Sequence, residues 1–238
     1  MAQKSLISII TTVAAELNLP QPVTVVSNQD QNIQKLLVLC RAVCDDLLAE
    51  YDWQILQTRY SFSTTNGVDS YALPSDIERF ISTTFFDANN RYPMQGPKSP
   101  VEWEWIKSTS FQGLPYTQFR IYNNKFWIAP VPGVSPFTFN LEYISNNVAK
   151  NLGTGVGQSD FTQDSDICLF DHRPVIYGIK LKMRESIGLD TTAALSDYKR
   201  ALEASKGTDT PSPTLNLLGA TGLRQLSTAN YPDGSWVV

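Results

Sequence analysis

Apolar residues recur at helical spacing near both ends of this sequence and alternate with polar residues through its middle. Leu6, Ile9, Ile10, Val13 and Leu17 share one helical face, and Pro20 and Pro22 close that segment. Ile33, Leu36, Leu37, Cys40, Val43, Cys44, Leu47 and Tyr51 form the broader stripe of a second helix. Ser27-Asn28-Gln29-Asp30 reads as its capping box, with Asp in the acidic position. Toward the other end, Pro174 marks a helix start, Val175, Ile176, Ile179, Met183 and Ile187 make its stripe, and Gly188 stops it. Asp190 or Thr191 caps one more helix, which carries Leu195, Tyr198 and Leu202 and stops at Gly207.

Between these ends the period is two. Tyr60, Phe62 and Thr64 alternate, Asn66-Gly67 follows, and Tyr71 and Leu73 resume, which predicts a hairpin. Residues 79–87 predict another strand. Phe119, Ile121, Phe126 and Ile128 flank Asn123-Asn124 as a second hairpin, and Phe137, Phe139, Leu141 and Tyr143 alternate as a strand with one buried face. Ser99-Pro100-Val101-Glu102 opens a short helix between them, with Pro at its first position. Residues 146–166 are rich in Gly, Asn and Asp and predict a loop.

A stripe of period 3.6 is buried by a helix and an alternation by a strand, so the order helices, strands, helices excludes a doubly wound sheet. The expected fold class is α+β: a helical bundle from the N- and C-terminal helices plus an antiparallel β lobe, with an extended C-terminal arm. Residues 1–57 and 165–207 form the bundle, 58–145 the β lobe and 208–238 the arm in this reading. The arm has no periodicity, yet it holds Leu215, Leu217, Leu218, Leu223, Leu226, Tyr231 and Trp236 among its Gly and Pro. A disordered tail has few such residues. The reading favours an arm that orders against another chain over a frayed end docked on its own domain. Leu217, Leu218, Leu223, Leu226, Tyr231 and Trp236 are the expected contacts to a neighbouring subunit or partner.

The search for chemistry narrows the function. The single histidine, His172, must serve any Ser-His-Asp or Cys-His system, with Asp171 and Cys168 near it. Residues four apart at a helix start meet by default, which favours a helix-start residue and a core thiol over a Cys-His hydrolase. Cys40, Cys44 and Cys168 lack the spacing of a disulfide framework or a zinc site, so no metal and no cofactor is expected. Asp160, Asp164 and Asp166 lack the Gly and Glu of an EF-hand loop and read as turn and capping residues. Gly153, Gly155 and Gly157 depart from the dinucleotide-binding spacing and read as a flexible loop. Net charge is −4, which argues against electrostatic capture of nucleic acid. Lys180, Lys182, Arg184, Lys199, Arg200 and Lys206 are the densest basic group and read as a solvated helix face, or as contacts to acidic neighbours or passing DNA. Trp103, Trp105 and Trp127 support an alternative, a tail-associated carbohydrate-binding module. The N-terminus lacks a long apolar core, and no apolar run reaches the ~18 residues that span a bilayer, so no membrane partner and no export signal is expected.

Seven segments in order carry a resemblance. They are Glu50-Tyr51-Asp52-Trp53; Tyr71-Ala72-Leu73-Pro74-Ser75-Asp76-Ile77-Glu78-Arg79-Phe80-Ile81; Gly96-Pro97-Lys98-Ser99-Pro100-Val101-Glu102-Trp103; Phe119-Arg120-Ile121; Glu142-Tyr143-Ile144-Ser145; Phe161-Thr162-Gln163-Asp164; and Gly178-Ile179-Lys180. Together, over roughly residues 5 to 205, the chain resembles the head-to-tail adaptor proteins of short-tailed phages, the tail-tubular-protein-A-like group. The resemblance implies a structural, non-enzymatic virion protein made in the host cytoplasm. It implies a homo-oligomeric ring of about twelve copies, closed by a repeated heterologous contact. Such a ring joins the portal protein to the tail nozzle protein and lines the channel through which viral DNA passes without specific binding.

Overall fold

The computed structural model describes residues 3–108, 116–133 and 136–209. Helix α1 (Leu6–Glu16) and helix α2 (Gln31–Glu50) open the chain. Ser5 makes no side-chain cap on α1. The first amides of α1 instead donate to carbonyls far away in sequence: Leu6 N to Asp166 O at 2.9 Å and Ile7 N to Asp164 O at 3.1 Å. At α2 the cap is Asp30, whose Oδ1 accepts from Asn32 N at 2.8 Å. The box expected from Ser27 therefore closes three residues later, because Asp30 itself takes the extended conformation of a cap (φ −66°, ψ 124°).

A 3-10 turn (Gln54–Leu56) leads into β1 (Gln57–Ser63). There follow β2 (Ser70–Ala72), β3 (Ile77–Phe80), β4 (Phe86–Asp87), β5 (Tyr92–Pro93), α3 (Pro100–Ser108), β6 (Gln118–Tyr122), β7 (Lys125–Ala129) and β8 (Thr138–Ser145). The long strand β8 organises one antiparallel sheet, with β1 on one side and β3 and β4 on the other; β5 extends β4. A second sheet has the order β2-β7-β6.

The Asn123-Asn124 hairpin forms as expected, with both residues at positive φ (51° and 56°) and Tyr122 opposite Lys125. The Asn66-Gly67 hairpin does not form. Gly67 makes its turn at φ +76°, but β1 pairs with β8 and β2 pairs with β7. Thr64 N bonds Phe137 O and Gly67 N bonds Pro132 O, so the turn carries the chain from one sheet to the other. The strand expected at 79–87 is likewise broken, between β3 and β4, by a turn with Thr83 at φ 71°.

The two sheets face each other across a core of Phe85, Phe119, Phe126, Phe139, Leu141 and Tyr143. Phe119 and Phe126 stack at 5.0 Å between ring centroids, and Phe62 meets Phe126 edge-on at 5.5 Å. A second, larger core belongs to the helices. Leu6, Ile9, Ile10 and Val13 of α1 meet Leu36, Cys40, Val43 and Leu47 of α2 there. Helix α4 (His172–Ile187) adds Val175 and Ile179, and helix α5 (Thr192–Asp209) adds Leu202.

The segment 146–166 is more ordered than its composition predicts. Strands β9 (Ala149–Lys150), β10 (Gly157–Gln158) and β11 (Ile167–Cys168) form a small antiparallel sheet. Asn151 Oδ1 accepts from Gly153 N and Thr154 N, which turns the Gly-rich stretch into a hairpin loop. Helix α4 starts two residues before Pro174, because Asp171 caps it through Arg173 N at 3.4 Å. Gly188 ends it in the left-handed conformation at φ +76°.

Candidate functional site

The expected arm contacts, Leu217, Leu218, Leu223, Leu226, Tyr231 and Trp236, lie outside the described residues. The other candidates can be placed. Cys168 is fully buried in the helical core with Cys40 and Cys44. The Cys44 thiol is pushed well above its ordinary value by hydrogen bonding to Cys168 and Cys40 and by burial, which holds it protonated. His172 stands at the first turn of α4 with Nδ1 3.1 Å from the Asp171 carboxylate. These are the features of a helix start and a core thiol. Among the described residues no cluster of three or more His, Cys, Asp or Glu is arranged to hold a metal ion.

The three acids of the 160s loop hold the fold together. Asp160 Oδ1 pairs with Arg41 Nε at 2.6 Å. Asp164 Oδ1 accepts from the backbones of Val25 and Val26 at 3.1 and 2.8 Å, tying the α1–α2 connection to this loop. Asp166, fully buried, accepts through Oδ2 from Thr162 N and Gln163 N, both at 2.8 Å. A polar cleft of about 430 Å³ opens beside them, lined by Asp76, Asn146, Asn147, Gln158 and Thr162 among others. Asp76 is already engaged there by Tyr143 Oη at 3.0 Å and Asn147 Nδ2 at 3.3 Å. Burial first, and then the Asp76 carboxylate, push the Tyr143 hydroxyl up to about 12.

The basic group on α4 and α5 meets acids of the same chain. Lys180 pairs with Glu16, Lys182 with Asp46 at 2.6 Å, and Lys206 with Glu50 at 3.0 Å. Arg200 approaches Asp197 at 3.8 Å. The three lysine pairs stitch the C-terminal helices to α1 and α2, and all four neutralise charge that a DNA-binding face requires.

The three tryptophans do not form one platform. Trp103 is buried with Ile106 and Ala129 between α3 and the outer face of the β2-β7-β6 sheet, and Trp127 packs on that cluster half-buried. Lys107 Nζ lies 5.3 Å from the Trp127 ring and bonds Asp69 at 2.6 Å. Trp105 points away and is 59% exposed. It belongs with Val101 and Tyr122 to a set of large apolar side chains left at the surface; Ile187 at the end of α4, Leu189 just after it, and Leu152 and Val156 on the β9–β10 hairpin are others. Such side chains suit contact with other proteins.

Sequence reasoning missed the role of one cation. Arg79 on β3 reaches the end of α2, where Nε bonds Asp52 at 2.6 Å, Nη1 bonds Leu48 O at 2.9 Å and Nη2 bonds Tyr51 O at 2.8 Å. The guanidinium satisfies carbonyls that the helix end leaves open and joins the sheet to the helices. Its only signal was an Arg in a short strand that also carries Glu78.

The model of one family, SU10 adaptor protein, matches residues 4–222. The chain belongs to that family. A search among curated proteins finds no match. As an SU10 adaptor protein it is a phage head-to-tail adaptor, a structural component of the virion that meets other virion proteins such as portal and tail. The family is generally without enzymatic activity. Its model extends past α5 far enough to take in Leu217 and Leu218, while Leu223, Leu226, Tyr231 and Trp236 lie beyond it.

Proposed function

We propose that this SU10 adaptor protein forms a ring of about twelve copies, closed by one repeated heterologous contact, between the portal protein and the tail nozzle protein at the head–tail junction. Viral DNA passes through its lumen without specific binding. The family match over residues 4–222 carries the reading. The internal pairing of Lys180, Lys182 and Lys206 supports a lumen that does not retain DNA. In this reading residues 1–207 are one adaptor unit and 208–238 a docking arm. Leu217, Leu218, Leu223, Leu226, Tyr231 and Trp236 anchor the arm to the portal or to a neighbouring subunit. Co-sedimentation with the portal ring encoded in the same genome, followed by end-on electron microscopy, tests it. A stacked double ring is the expected result. Absence of association at micromolar concentrations of both partners overturns the reading.

A further inference from the structure

The strand β1 is an edge that nothing described covers. It pairs with β8 over seven residues in unbroken register, from Gln57↔Ile144 to Ser63↔Thr138, and it is last in its sheet. Thr64 N donates to Phe137 O in the continuation of that ladder. Amides alternate in direction along an antiparallel pair, so Thr58, Tyr60 and Phe62 face β8, while Gln57, Arg59, Ser61 and Ser63 turn their backbone groups outward. Gln57 N donates to Gln54 O as the cap of the 3-10 turn; among the described residues none bonds the outward groups of Arg59, Ser61 and Ser63. Proteins blunt such an edge with proline, a bulge, inward charge or a cover. Here there is no proline and no bulge, and Arg59 is the one charge. Beside the edge, the Tyr60 and Phe62 rings stack at 5.6 Å and stay only partly buried.

Helix α5 delivers the rest of the chain to this spot. Its last residue, Asp209, accepts through Oδ2 from Gln54 N at 2.9 Å, three residues before β1 begins. Thr214-Leu215-Asn216-Leu217-Leu218 follows Pro213 and precedes Gly219. Its Leu215 and Leu217 alternate with Thr214 and Asn216, the pattern of a strand with one apolar face. The five residues from Asp209 to Thr214 span at most about 17 Å, enough to reach the middle of β1. A tether this short gives an effective concentration of order millimolar.

We infer that residues 214–218 add to the free edge of β1 of their own chain as a parallel strand, with Leu215 and Leu217 over Tyr60 and Phe62. The root of the arm is then fixed on the sheet; Leu217 and Leu218 anchor it within its own chain rather than to a partner, and Leu223, Leu226, Tyr231 and Trp236 are left to reach the portal or a neighbouring subunit. Backbone bonds supply the affinity in such strand addition, and the alternate side chains set the register.

Two measurements on the full chain, made without portal, test this separately from the ring. Ser61→Cys or Arg59→Cys is combined with Asn216→Cys and oxidised; the native thiols are buried. An intrachain disulfide is expected for one of the two, since bridged Cα atoms lie within about 7 Å. No disulfide, or one that links two copies, overturns the inference; the second result would make a neighbouring copy the donor. Hydrogen exchange then compares the native chain with the Leu215→Asp, Leu217→Asp variant. The outward amides of Arg59, Ser61 and Ser63 should exchange about tenfold faster in the variant, while those of Tyr60 and Phe62 hold. Equal exchange at the outward amides overturns it as well. Failure to bind portal leaves both readouts unaffected.

Discussion

Gly178 shows how one missing methyl sets the packing of the helices. It sits on the buried face of α4, where a Cβ would lie 2.7 Å from Val43 Cγ1 and 3.2 Å from Tyr198 Cε2. Helices α2 and α5 therefore approach α4 at this point. Gly→Ala raises helix propensity by about 1 kcal/mol, but the added carbon collides with a β-branched side chain that has no free rotamer to take. Gly178→Ala should destabilise the protein by about 1–3 kcal/mol, the usual cost of overpacking. Val43→Ala in the same chain should return part of that loss. Urea unfolding of the two single variants and the double variant checks the coupling; strict additivity would show that the contact does not decide the packing.

At the scale of an element, α3 rests on its first turn. Ser99 and Glu102 form a reciprocal capping box: Ser99 N donates to Glu102 Oε2 at 2.9 Å, and Glu102 N to Ser99 Oγ at 3.3 Å. The Ser99 backbone amide, and then its side chain, hold the Glu102 carboxyl below its ordinary value of 4.5. A carboxyl depressed in the folded state adds stability above its unfolded value and loses it as pH falls through the folded one. Glu102→Gln should therefore melt earlier than the native chain at pH 7, and the gap should shrink at an acidic pH well below that ordinary value. Thermal melts at the two pH values measure it. A gap of equal size at both would mean that the negative charge contributes nothing to the cap.

At the scale of the molecule, the sheet meets the helical core through Ile144 of β8 and through Arg79. Its three bonds to Asp52, Leu48 and Tyr51 hold the sheet on the end of α2. Arg79→Ala removes charged hydrogen bonds and takes the guanidinium from Leu48 O, while Tyr51 O keeps Trp53 N, an expected loss of about 2–3 kcal/mol. Arg79→Lys should recover less than half, because an ammonium cannot divide itself among three acceptors in the geometry of the guanidinium fork. Denaturant unfolding followed at Trp53, in the helical core, and in the near-ultraviolet signal of the sheet aromatics gives both the loss and its spread. A full rescue by Lys would show that charge alone makes the joint.

Local chemistry made much of this readable from the sequence. The helix stripes at Leu6–Leu17 and Ile33–Leu47 and the alternation at Phe139–Tyr143 bury the residues their periods require, because side-chain direction follows backbone geometry one residue at a time. Gly188 and Asn123-Asn124 act where expected for the same reason: a positive φ is a property of the residue. Asn66-Gly67 marks the limit. Its turn forms, but which strand pairs with which depends on partners far along the chain, and β1 finds β8 instead of β2. The cap of α1 by Asp164 and Asp166 carbonyls and the clamp of Arg79 on α2 are likewise contacts between distant residues, with no local signature. The arm expected at 208–238 rests on composition, and its expected contacts lie outside the described residues. Tertiary structure decided the free edge of β1, because an edge exists only once every other strand has taken its place.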